Sequence, residues 1–119
     1  MVNLLFCDDD PIRRHAISEI CLEEGLQATI VATPSDALKE AQSQSYSFIF
    51  LDITNVHGDV MSLPTQIKLL RPDVFVVGYS GYPKYMLSED AHYFDEVASS
   101  RDFLMFGKIR EFLEKLGSK

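Results

Sequence analysis

A chain of 119 residues, 46% hydrophobic and 24% charged, is long enough for one domain with its own apolar core and too apolar to be disordered. Its 18 acidic and 11 basic residues give a formal net charge of −7, which repels nucleic acid and anionic membrane rather than recruiting them. The start, Met1-Val2-Asn3-Leu4-Leu5-Phe6, has no basic flank, and its apolar run stops at Asp8, too short for a signal peptide or a membrane span. A cytoplasmic protein with a single domain over residues 1–119 is expected.

The apolar run Val2 to Cys7, ended by acids, predicts a strand buried on both faces. Asp10-Pro11 predicts a helix start, with Asp10 as the cap and proline in the first turn. Ile12, Ala16, Ile17, Ile20 and Cys21 supply its expected apolar face, and Gly25 its end. Ala28 to Val31 predicts a second strand. Thr33-Pro34-Ser35-Asp36 starts a second helix, with Ala37, Leu38 and Ala41 facing inward. Ser47 to Leu51 predicts a third strand, apolar until Asp52, and Gly58 marks the loop after it. A third helix is expected from Leu63 to Leu70, ended by Arg71-Pro72-Asp73, and a fourth strand from Val74 to Gly78. Gly81 to Phe94 holds a proline, several aromatics and no clean period; a short helix is expected there. Asp95 to Ser99 reads as a fifth strand. Phe106, Ile109, Leu113 and Leu116 repeat at helical spacing, with Glu111 and Lys115 paired on the wet face.

Strands alternating with helices predict an α/β fold: a parallel sheet covered on both sides, of flavodoxin-like, doubly wound order 2-1-3-4-5. Ligands of such sheets lie outside the carboxyl ends of the strands, at the switch point between strands 1 and 3. Asp8, Asp9 and Asp10 follow strand 1, Asp52 follows strand 3 and Ser80 follows strand 4, all at that edge. Carboxylates gathered in a crevice repel one another, so protons, a basic side chain or a cation must neutralise them. An oxygen-only site with retained water suits Mg²⁺ or Mn²⁺, and a phosphoryl group set against that cation would have its charge offset. Asp10 reads mainly as a helix cap. Cys7 and Cys21 have neither zinc spacing nor a Cys-x-x-Cys pattern and read as small buried hydrophobes of a reducing compartment.

Three segments carry a resemblance: Leu4-Leu5-Phe6-Cys7-Asp8-Asp9-Asp10-Pro11, Phe48-Ile49-Phe50-Leu51-Asp52 and Val76-Val77-Gly78-Tyr79-Ser80-Gly81. With these the chain resembles, from Val2 to Leu116, the CheY-like receiver domain of bacterial two-component response regulators. The resemblance implies that Asp52 accepts a phosphoryl group from a histidine kinase. It implies that Asp8, Asp9, Asp52 and the backbone carbonyl of Thr54 hold Mg²⁺, with Asp9 a direct ligand. Ser80 matches the hydroxyl that hydrogen-bonds the phosphoryl group and reports the change.

The chain departs from that family at three places. Ser100 aligns with its lysine after strand 5, with Arg101 adjacent, and Val97 aligns with its switch aromatic. The loop after Asp52 reads Ile53-Thr54-Asn55-Val56-His57-Gly58-Asp59, without the expected methionine-proline pair, and His57 there reads as a solvated loop residue. Tyr79, Tyr82, Tyr85, Tyr93 and Phe94 crowd around strand 4, in a region the family uses for partners and dimers; they read either as an interface or as cover for the sheet.

The expected function is therefore a stand-alone receiver in a phosphorelay, no enzyme beyond autophosphorylation and slow autodephosphorylation at Asp52. Its expected partners are a sensor histidine kinase or phosphotransfer protein and a downstream protein target, with a homodimer possible. The departures favour an alternative, a pseudo-receiver that binds partners without phosphorylation. Asp8-Asp9-Asp10 also contains the Asp-x-Asp pattern of haloacid-dehalogenase-like phosphatases, whose first aspartate is the nucleophile, but this leaves Asp52 unexplained. A flavodoxin is disfavoured because the loop after strand 1 is acidic where a phosphate cradle needs glycines and hydroxyls.

Overall fold

In the computed structural model, which describes residues 2–53, 62–81, 93–105 and 107–117, the apolar runs form five strands. They are β1 (Asn3–Cys7), β2 (Gln27–Val31), β3 (Phe48–Asp52), β4 (Phe75–Ser80) and β5 (Glu96–Ser99). All pair in parallel, in the order β2-β1-β3-β4-β5, as expected. Among the described residues four helices accompany them: α1 (Pro11–Glu23), α2 (Pro34–Ser43), α3 (Leu63–Leu70) and α4 (Lys108–Gly117). A 3₁₀ turn over Ser100–Asp102, too short to show a period, was not anticipated. The helix expected within Gly81 to Phe94 falls almost wholly outside the described residues. No helix among the described residues is long and apolar enough to cross a membrane.

Strand alternation divides the interior into two cores, one on each face of the sheet. Leu4 and Phe6 of β1, Phe50 of β3, Val77 and Tyr79 of β4 and Ala98 of β5 pack against α1 and α4. Leu5, Cys7, Ile49, Leu51 and Val76 point the other way and pack against α2 and α3. The Phe6 and Phe50 rings stack with centroids 4.6 Å apart, and Phe103 closes on Phe50 at 5.0 Å. Burying each such ring contributes about 1.5–3 kcal/mol, which is why continuous apolar runs settle as central strands.

The helix starts follow from their capping residues. The Asp10 carboxylate accepts from the Ile12 N–H at 2.9 Å, and the Thr33 hydroxyl accepts from the Asp36 N–H at 3.1 Å. Each is followed by a proline, whose missing N–H costs nothing in a first turn. Gly25 ends α1 with φ +68°, a left-handed conformation that suits glycine.

The inward face of α1 differs from the expected one. Ile12 is 80% exposed and Ala16 is also exposed, while Ile17, Ile20 and Cys21 are buried. The inward stripe starts at Arg13, and Ile12 lies about 100° around the helix from it. The stripe Ile12-Ala16-Ile20 runs beside the buried one and shares only Ile20 with it. Leu38 of α2 is partly buried against the second core, as expected.

Asp95 ties the third helix to the sheet. Its carboxylate accepts from the Val76 N–H at 2.8 Å and pairs with Lys68 of α3 at 2.6 Å. Beside it the Phe94 ring lies on β4 at Gly78, where a Cβ would come within 2.9 Å of Cδ1. Only glycine lets that ring lie so close.

Candidate functional site

The strand register builds the site. Cys7 pairs with Leu51, and Asp52 pairs with Tyr79. Extending β1 by one residue therefore sets Asp8 beside Asp52, which sits beside Tyr79. Alternation turns all three side chains to the face that carries α1 and α4, with backbones about 4.8 Å apart. The buried polar or charged residues among those described are Asp8, Asp52 and Ser80, respectively 1%, 7% and 7% exposed. All three sit at the carboxyl edge of neighbouring strands.

A buried carboxylate needs compensating donors, and Asp8 has them. Its Oδ2 accepts from the Tyr79 hydroxyl at 2.6 Å and from Arg13 Nε at 2.6 Å. Its Oδ1 accepts from the Asp10 N–H at 3.0 Å, and its backbone carbonyl accepts from Arg14 Nη1 at 3.0 Å. Arg13 reaches further, with Nη2 3.4 Å from Asp52 Oδ2 and 3.7 Å from Asp10 Oδ2. The guanidinium thus bridges the acids of β1 and β3. One side-chain oxygen from each of Asp8, Asp9 and Asp52 lies within 4.8 Å of the others.

These contacts shift the ionisable groups. Burial works against the charged guanidinium of Arg13, but the hydrogen bond and charge of Asp8, with the charge of Asp52, outweigh it and raise its pKa. Burial, then the charge of Asp8 and the hydrogen bond to it, push the Tyr79 phenol well above its ordinary range. The nearby Cys7 thiol is pushed up to about 12 by burial and by the neighbouring aspartates. Tyr79 and Cys7 are therefore neutral at physiological pH, and Arg13 is a permanent cation.

Of the residues singled out in the sequence, Asp8, Asp9 and Asp52 come together, and Asp10 serves as the α1 cap. Ser80 is buried at the end of β4, one residue past the partner of Asp52. Thr54 and His57 lie outside the described residues, as do Tyr82 and Tyr85. Ser100 opens the 3₁₀ turn, Arg101 is exposed, and Val97 packs against the second core. The aromatic cluster divides: Tyr79 and Phe94 are buried cover for the sheet, whereas Tyr93 is 42% exposed. Arg13 and Tyr79 are the site residues that sequence reasoning missed. The signal for Arg13 is its place four residues before Ile17 on the inward stripe of α1; for Tyr79 it is shared parity with Val77.

Clustered carboxylate oxygens are hard donors, and three of them fit a hard divalent cation whose remaining positions are filled by water. Asp8 makes a poor nucleophile, since Tyr79, Arg13 and the Asp10 N–H enclose its oxygens.

No family model matches the chain, and no curated protein matches it. Solved structures do. A CheY-like receiver domain from Methylobacillus flagellatus superposes with a TM-score of 0.81 at 19% identity, over 98% of both chains. The response regulator TrrA from Thermotoga maritima, in complex with Mg²⁺ and BeF, gives 0.77 at 23% identity, over 99% of this chain and 98% of that one. The structure of the histidine kinase ThkA in complex with TrrA gives 0.80 at 24% identity, over 98% of both chains. Strand order, helix placement and this coverage together show that the chain has the CheY-like fold of response-regulator receiver domains.

Proposed function

We propose that the chain is a receiver that takes a phosphoryl group on Asp52 with Mg²⁺ and signals through protein–protein contacts. The observation that carries this reading is the acidic row itself: Asp52 at the carboxyl edge of β3, with oxygens of Asp8 and Asp9 within 4.8 Å. In this reading an Asp52 oxygen attacks phosphorus, the bond from phosphorus to its donor breaks, and an acyl phosphate forms. Asp8, Asp9, Asp52 and the Thr54 carbonyl would hold Mg²⁺, which supplies charge neutralisation for the phosphoryl oxygens. Tyr79 and the Asp10 N–H hold Asp8 in place, and Ser80 is the hydroxyl donor to the phosphoryl group. The likeness to a regulator complexed with Mg²⁺ and BeF, and with a histidine kinase, supports both the cation and the class of upstream partner. The same reading makes a histidine kinase or phosphotransfer protein the donor, a further protein the target, and the cytoplasm the location.

The test is intact mass after incubation with Mg²⁺ and acetyl phosphate. Wild type gains one phosphoryl group and Asp52→Asn gains none. An unchanged wild-type mass, while an ordinary receiver is modified in parallel, would refute the proposal. A second reading, a phosphorylation-independent interaction module, is favoured by Ser100 and Val97 at the positions where the family carries lysine and an aromatic. That outcome would leave the module as the surviving interpretation.

A further inference from the structure

The acidic row contains its own cation. Arg13 projects from the first turn of α1 along the stripe that continues to Ile17 and Ile20, so helix packing aims it at the carboxyl edge of the sheet. Its Nε lies 2.6 Å from Asp8 Oδ2, and its Nη2 3.4 Å from Asp52 Oδ2. These are two of the three carboxylates whose oxygens would share a divalent ion. A guanidinium in this place opposes a divalent ion at the same edge, because it takes up lone pairs on Asp8 Oδ2 and Asp52 Oδ2 and like charges repel at that distance.

We infer that Arg13 is a tethered counter-ion that competes with the divalent cation for Asp8 and Asp52, so that loading the pocket requires the guanidinium to swing out. The inference rests on the proposed reading of the acids as a cation pocket and adds its regulation. Without metal, Arg13 offsets repulsion between Asp8 and Asp52 and keeps the empty pocket folded. With metal, it is released toward Asp10, whose Oδ2 is 3.7 Å from Nη2. Asp8 keeps its orientation through that exchange, since the Tyr79 hydroxyl and the Asp10 N–H still donate to it. Arg13 is a side chain only 26% exposed, so its release also uncovers the first turn of α1. Divalent-cation occupancy and the arrangement of that turn are coupled, and the coupling sets a higher threshold concentration for loading.

The experiment is calorimetric titration of Mg²⁺ into wild type, Arg13→Gln and Arg13→Lys, each checked for folding by circular dichroism. Arg13→Gln removes the charge and leaves a shorter, neutral polar side chain at the same place. It should bind Mg²⁺ roughly tenfold more tightly, the scale of one charge-assisted hydrogen bond, with Arg13→Lys between it and wild type. In chelator, Arg13→Gln should melt below wild type, and saturating Mg²⁺ should raise its midpoint by more. If wild type binds and Arg13→Gln binds equally or more weakly, the competition is overturned while the cation pocket stands. If neither binds, the pocket reading and the competition fall together. Wild type supplies a measurement that depends on no variant: the Arg13 Nε–H resonance should shift and lose protection from exchange as Mg²⁺ is added. A resonance unchanged at saturation overturns the inference.

Discussion

Replacing Tyr79 by phenylalanine isolates one bond of the site. The ring is 1% exposed and stands edge-on to Phe103 at 5.4 Å and 90°, a packing that phenylalanine preserves. What is lost is the O–H donor at 2.6 Å from Asp8 Oδ2. That oxygen keeps Arg13 Nε and is not orphaned, so the cost is that of one buried hydrogen bond to a charged acceptor, about 1.5–3 kcal/mol. Unfolding entropy for a chain of this length is about 0.25 kcal/mol/K, so the melting midpoint should fall by roughly 6–12 °C. Urea unfolding in chelator measures the change directly, with an unchanged m-value marking a loss in the folded state. A cycle with Asp8→Asn should return a coupling of about 1 kcal/mol or more between the two positions. A loss for Tyr79→Phe below about 0.5 kcal/mol, the scale of an unremarkable surface substitution, would refute the view that this bond holds Asp8.

Gly78→Ala should destabilise by about 1–3 kcal/mol, since its Cβ would press within 2.9 Å of the buried Phe94 ring. Adding Phe94→Leu should restore part of that loss in the same unfolding assay. Stability should also fall as pH rises above about 9. The thiols of Cys7 and Cys21 are pushed from 9.0 up to about 12 and about 11 by burial, so the unfolded chain loses these protons before the folded one does. Stability is at its full value below pH 9 and declines by about 1.4 kcal/mol per pH unit for each fully mismatched group; Cys7→Ala with Cys21→Ala should remove the part that begins near pH 9, while the raised Tyr79 phenol still lowers stability above pH 10.0. Both thiols should resist a thiol reagent until the chain unfolds.

The strands were legible because a parallel sheet buried on both faces writes continuous apolar runs such as Phe48 to Leu51. The meeting of Asp8 with Asp52 followed from strand order alone. Arg13 was not legible, because a charged residue on an inward helical stripe contradicts the hydropathy pattern. It makes sense only once Asp8 is known to be buried at the head of that stripe. Hydropathy alone places Ile12 and Ala16 on the apolar face with Ile17, Ile20 and Cys21, yet Ile12 ends in solvent. Tyr79 stands among aromatics that read either as an interface or as cover for the sheet, and its parity with Val77 sorts it into the core. Its register with Asp52 and its side of the sheet are long-range facts that a local run of residues does not encode.

The sharing of parity between core and site bears on how such a chain diverges. Phe50 and Asp52 point to the same face of β3, as Phe6 and Asp8 do at β1 and just beyond it. Inserting or deleting one residue upstream within either strand would turn the aromatic out of its core and carry the aspartate to the opposite side in the same event. Selection for a folded protein therefore preserves the spacing of the acids even in a lineage that never uses them. The site can be inherited as a by-product of the core, and its chemistry can be lost by single substitutions while its geometry persists.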